Sequence, residues 1–75
     1  GDVQIHDGAV YAASLLAGEV LEFDLATGAP KRTRRTGPLP YRLLPEKGRL
    51  LVTSWSGRAV YAHETASGSE PRRFE

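Results

Sequence analysis

The chain has 75 residues, enough for one domain at most and near the lower limit for an independent core. Ten Lys and Arg stand against nine Asp and Glu, a net charge of +1 that offers no electrostatic case for nucleic acid or a membrane surface. Cysteine is absent, which excludes disulfides and thiolate metal sites, and no apolar run approaches the ~18 residues of a membrane span.

Taken in chain order, short runs rich in Val, Leu, Tyr and Thr alternate with turns marked by glycine. The first four predicted strands are Val3–His6, Ala9–Leu15, Glu19–Leu25 and Ala29–Arg35. In the third, Leu21, Phe23 and Leu25 share one face, while Val20, Glu22 and Asp24 share the other. The fourth carries Lys31-Arg32-Thr33-Arg34-Arg35, read as a solvated outer strand whose charge blunts an exposed edge. A phosphate or acidic-partner patch is the competing reading, weakened because no aromatic residue interleaves the cations. Thr36-Gly37-Pro38-Leu39-Pro40 follows, and its prolines cannot donate ladder hydrogen bonds, so the sheet is expected to break there. The remaining predicted strands are Tyr41–Leu44, Arg49–Trp55, Ala59–Thr65 and Glu70–Phe74. No gap is long enough for a crossover helix, which excludes a parallel βαβ arrangement.

The second half repeats the first at a spacing of 40 residues. Asp7-Gly8-Ala9-Val10-Tyr11-Ala12-Ala13-Ser14 lies over Lys47-Gly48-Arg49-Leu50-Leu51-Val52-Thr53-Ser54, and Asp24-Leu25-Ala26-Thr27-Gly28 over Glu64-Thr65-Ala66-Ser67-Gly68. Six of the eight glycines fall at matching turns: Gly8 with Gly48, Gly18 with Gly57, Gly28 with Gly68. A period near 40 in a strand-rich chain signals a β-propeller or a related repeat array. The expected fold is all-β: two four-stranded antiparallel blades of a β-propeller, residues 1–36 and 37–75. Closure takes four to eight blades, so we expect a partial propeller or a two-blade unit that closes by oligomerising. A chain starting at Gly1 rather than at a methionine fits a fragment.

The segment Gly37-Pro38-Leu39-Pro40, with Lys47-Gly48, Leu51-Val52-Thr53-Ser54 and Ala66-Ser67-Gly68, resembles the bacterial YVTN-type propeller repeat. Tyr11-Ala12-Ala13-Ser14 matches the core strand of that repeat more weakly, and Asp24-Leu25-Ala26-Thr27-Gly28 matches its last turn. Related propellers of the NHL, quinoprotein and lactonase types look similar. Arg32 and Arg72 stand near the place of the docking tryptophan usual in the quinoprotein type, which counts against it. The resemblance implies a binding or surface-associated scaffold, often outside the cytoplasm, with no single activity.

Trp55 and Arg58 flank the hairpin Ser54-Trp55-Ser56-Gly57-Arg58, and Tyr41 and Arg42 lie just past the linker. A tryptophan beside an arginine at a loop tip is a good anchor for a ligand or partner; the competing reading packs Trp55 between blades. These four are the candidate binding residues. His6 and His63 do not correspond in the repeat and have no ligand-like spacing, so His6 reads as a turn residue, His63 as a packing or surface substitution, and no metal or cofactor site is expected. Glu22 and Asp24 are expected to meet cations of neighbouring strands, and no nucleophile motif is present. The leading function is a non-enzymatic binding scaffold. The alternative is a piece of a propeller enzyme, such as a lactonase or other metal-assisted hydrolase, with its site in other blades. A third reading is a self-assembling ring presenting several identical sites to a repetitive glycan. The ligand, whether protein, small molecule or glycan, is not specified by the residues, and neither is the compartment.

Overall fold

The structure is a computed structural model that describes residues 2–56 and 58–75. Eight antiparallel strands form two four-stranded sheets, and the described residues contain no helix. The first sheet takes β1 (Val3–His6), β2 (Ala9–Ser14), β3 (Glu19–Asp24) and β4 (Pro30–Arg35) in that order; the second takes β5 (Pro40–Glu46), β6 (Arg49–Ser54), β7 (Ala59–Glu64) and β8 (Arg72–Phe74). Each strand pairs only with its neighbours in sequence, because the turns between them are too short to reach further.

The turns show why. His6 pairs with Ala9, leaving Asp7 and Gly8 as a two-residue loop with φ of 50° and 77°. Positive φ at both positions gives the twist that a right-handed hairpin needs. The Asp24 carboxylate accepts from the N–H of Ala26 (2.9 Å) and of Thr27 (3.1 Å), closing the β3–β4 turn. Glu64 stands in the corresponding place with one methylene too many for that ring. Gly68 there lies outside the left-handed region, and β8 starts only at Arg72 instead of Glu70. Sequence matching paired Gly18 with Gly57, which lies outside the described residues. The left-handed residue equivalent to Gly18 (φ 68°) is Arg58 (φ 50°), forty positions on. β5 also runs further than expected and includes Pro40 and Pro45, which it tolerates as an edge strand.

Register assigns every side chain to a face. In the first sheet Ala9, Tyr11, Ala13, Val20, Glu22 and Arg34 share one face, and Val10, Ala12, Leu21 and Phe23 share the other with Val3 and Ile5. In the second, Leu43, Leu50, Val52, Tyr61 and His63 share one face, and Leu51, Thr53, Val60, Ala62 and Phe74 the other. The core is Ala9, Tyr11 and Val20 of the first sheet against Leu43, Leu50 and Val52 of the second, with Ala13 and Tyr61 packed beside them. Each such large apolar side chain, fully buried, stabilises by about 1.5–3 kcal/mol. The more strictly apolar face of β3, with Leu21 and Phe23, is the uncovered one. The Val20–Glu22 face is buried instead.

Shifting the first sheet by forty residues carries its open Val10 and Ala12 onto the buried Leu50 and Val52. The sheets therefore stack in the same sense, each burying a face opposite to the equivalent one its neighbour buries. They come closest where β5 meets β1 and β2, so the stack is a wedge. Its narrow side is tied by Asp2, whose carboxylate accepts from the Leu43 N–H at 3.0 Å, a bond that holds that carboxyl below its usual range. The wide side is filled by long side chains: Arg34 and Arg32 donate to the Thr65 carbonyl oxygen at 3.0 and 3.3 Å. Arg34 is thus a correction to the expected solvated outer strand, since it is only 4% exposed while Lys31 and Arg35 are exposed. The linker is fitted just as closely: a Cβ at Gly37 would overlap the Tyr61 ring.

Candidate functional site

The β5–β6 ladder pairs Arg42 with Thr53 and then Pro40 with Ser54, so Tyr41 is an extra residue on β5. A bulge of this kind bends the strand and re-aims the side chain it carries. Trp55, the first residue past β6, is fixed by its N–H donating to the Leu39 carbonyl oxygen at 3.0 Å, with Leu39 itself left-handed at φ 49°. The two rings meet with centroids 5.4 Å apart, tilted by 40°. The Arg42 guanidinium lies 5.5 Å from the centre of the Tyr41 ring. Trp55 is 68% exposed and Tyr41 47%.

Burial between the two sheets does not explain the placement of these rings, because Trp55 follows Thr53 on the open side of the second sheet. Three of the four candidates, Tyr41, Arg42 and Trp55, come together as an aromatic shelf with a cation at its rim. Arg58 is exposed and does not join them among the described residues. Its left-handed backbone fits the turn, a role glycine fills at position 18. The first sheet has no such shelf, because Leu15 and Leu16 occupy the equivalent turn and Leu16 is 93% exposed.

A second polar feature lies between the sheets. Arg34 donates to the Glu22 carboxylate, and both side chains are almost wholly buried. Lys31 reaches the same carboxylate at 3.7 Å from the solvent side, so the expected meeting of Glu22 with cations of the neighbouring strand is seen. Arg34 also lies 5.9 Å from the centre of the Tyr11 ring. Burial, with the Glu22 charge second, raises the Tyr11 phenol, which stays protonated. On the facing sheet His63 is 1% exposed, with Nε2 3.0 Å from the Thr36 hydroxyl and Nδ1 unpartnered among the described residues. The sequence left His63 as either a packing or a surface substitution; the structure makes it the former and sets it near Arg34. The signal was its position: it replaces Phe23 of the first unit.

Burial, with the nearby Arg34 charge second, pulls the His63 imidazole down to about 4. The unfolded chain, with an ordinary imidazole near 6.5, then binds more protons than the folded one between those values. Stability falls as pH drops through that window, by about 3 kcal/mol in all. Urea unfolding at pH 7, 5 and 4 should show this loss, and His63→Phe should flatten it. An unchanged pH slope in that variant would remove His63 as the cause.

No protein-family model matches the chain, and no curated protein does. The functional reading therefore rests on the shelf and on the way the sheets stack.

Proposed function

We propose that this chain is a pair of β-propeller blades acting as a non-enzymatic binding scaffold, with Tyr41, Trp55 and Arg42 as its ligand contact. Three observations support the blade reading: the period of forty residues, the wedge, and the stacking of both sheets in the same sense. The observation that carries the binding reading is the exposed Tyr41–Trp55 pair, held by a bulge and a backbone hydrogen bond rather than by burial. Exposed aromatic faces suit a flat ligand with apolar patches, and the arginine at the rim suits a carboxylate. An acidic oligosaccharide meets both demands.

Trp55 is the only tryptophan in the chain, so its fluorescence reports on the shelf without interference from a second indole. Titration with oligogalacturonate should shift that emission saturably, and a neutral maltooligosaccharide should bind more weakly. Tyr41→Ala should weaken oligogalacturonate binding by roughly 30-fold, as for an anchor contributing about 2 kcal/mol. Arg42→Gln should abolish the preference for the acidic sugar. Equal, non-saturating responses to both sugars would refute the proposed ligand class.

A further inference from the structure

We propose that a second copy of this chain docks on the open face of the first sheet, using the open face of its own second sheet. The proposal rests on the stacking described above and not on what the shelf binds.

Both open faces have apolar centres, and on the second sheet Arg42, Arg49 and Arg72 share that face, with Arg72 4.9 Å from the centre of the Phe74 ring. Val3 and Ile5 are 59% and 61% exposed on the first sheet, and Leu44 and Phe74 are 57% and 43% exposed on the second. Apolarity alone does not name an occupant, but the repeat does. The interface inside the chain holds a polar trio, Glu22 and Arg34 from the first sheet and His63 from the second. Forty residues on from Glu22 and Arg34 stand Ala62 and Phe74, both on the second sheet's open face. Forty residues back from His63 stands Phe23, on the first sheet's open face. All three polar members are replaced by apolar residues, and they divide between the two open faces as the trio divides between the two buried ones. A water-facing surface would tolerate the polar versions. Their joint removal matches the open faces to each other.

The geometry of the contact is already set within the chain. Leu51 and Val60 of one copy would meet Val10 and Leu21 of the next as Tyr11 and Val20 meet Leu50 and Tyr61 within the chain. Such a contact is heterologous, two unlike faces meeting head to tail, so it runs on to further copies until a ring closes.

Light scattering on a sizing column tests this with the full chain and two variants, Phe23→Asp and Phe74→Asp. Each change lies on an open face, away from the core, and a far-UV spectrum of each peak checks that the strands persist. The unmodified chain should elute at two or more times its 8.2 kDa. Each variant alone should be monomeric, since every contact needs one face of each kind. The equimolar mixture should give a complex of two chains and nothing larger, through the one intact pair of faces. Ile5→Asp and Leu44→Asp, at more exposed positions, form a second pair that should behave alike if either phenylalanine variant fails to fold. A chain monomeric at sub-millimolar concentration overturns the proposal and leaves further repeats of a longer chain as the occupant. A variant that still dimerises alone also overturns it, because the contact would then be between like faces. Arg42 pairs with Thr53 on this same face, so shelf binding is read by Trp55 emission on the monomeric Phe23→Asp variant, where the second sheet's open face is free.

Discussion

Glu22→Ala and Arg34→Phe should each destabilise the fold by about 3–5 kcal/mol, and the double variant should recover most of that loss. Each single change strands a charge that has left water. Without Arg34, the Glu22 carboxylate keeps only Lys31, 3.7 Å away on a largely exposed side chain. That residual partner places Arg34→Phe toward the lower end of the range. Without Glu22, the Arg34 guanidinium keeps the Thr65 carbonyl oxygen at 3.0 Å and no counter-charge. Removing both charges together removes both desolvation costs, and an apolar pair of similar volume is often neutral or better in such a site. The chain itself carries that apolar solution, Ala62 and Phe74, at the equivalent places of its second sheet. In the double variant Thr65 still accepts from Arg32 at 3.3 Å. The check is a double-mutant cycle by urea unfolding, with an expected coupling of about 3 kcal/mol or more. Single effects that simply add would mean the two residues do not act as a pair.

Leu50→Ala should cost about 3–5 kcal/mol, the upper part of the range for emptying a core leucine site. Leu50 has no exposed surface, lies between Pro45 and His63 on its own face, and belongs to the cluster that joins the sheets with Tyr11 of the first. Strand backbones on both sides limit how far the site can collapse. A chain of this length is stable by roughly 4–11 kcal/mol, so the change removes a large share of the total. Leu44→Ala on the same sheet is the control. Leu44 is 57% exposed on the open face, and its loss should stay within about 0.5 kcal/mol in the isolated chain. Comparable shifts in the denaturation midpoint for the two variants would contradict the assignment of faces.

Most strand positions were legible in the sequence because glycine, aspartate and proline mark the turns so regularly. β1 lies where its pattern placed it, and the other strands shift by one or two residues at their ends. The exceptions have local causes. β8 starts late because Glu64 cannot form the turn that Asp24 forms, and β5 gains Pro40 and Pro45 because an edge strand has spare donors to lose. Which face of each sheet is buried was not legible. Alternation in β3 marks Leu21 and Phe23 as the apolar side, yet a buried ion pair makes the other side internal, and pairing between Glu22 and Arg34 is invisible without the register. Of the candidate site, Trp55 and Tyr41 stood out as aromatics beside cations. Their contact depends on a bulge that leaves no mark in composition. Arg58 stands out in the sequence by its charge, while its left-handed backbone accounts for its place.

Stacking in one sense has a consequence for how such a chain grows. A sheet added by duplication covers one open face and presents another of the same kind. However many sheets are copied, two open faces remain, one at each end, so uncovered apolar area does not rise with length. Lengthening is therefore tolerated at every step, and only the two terminal faces are under pressure to change.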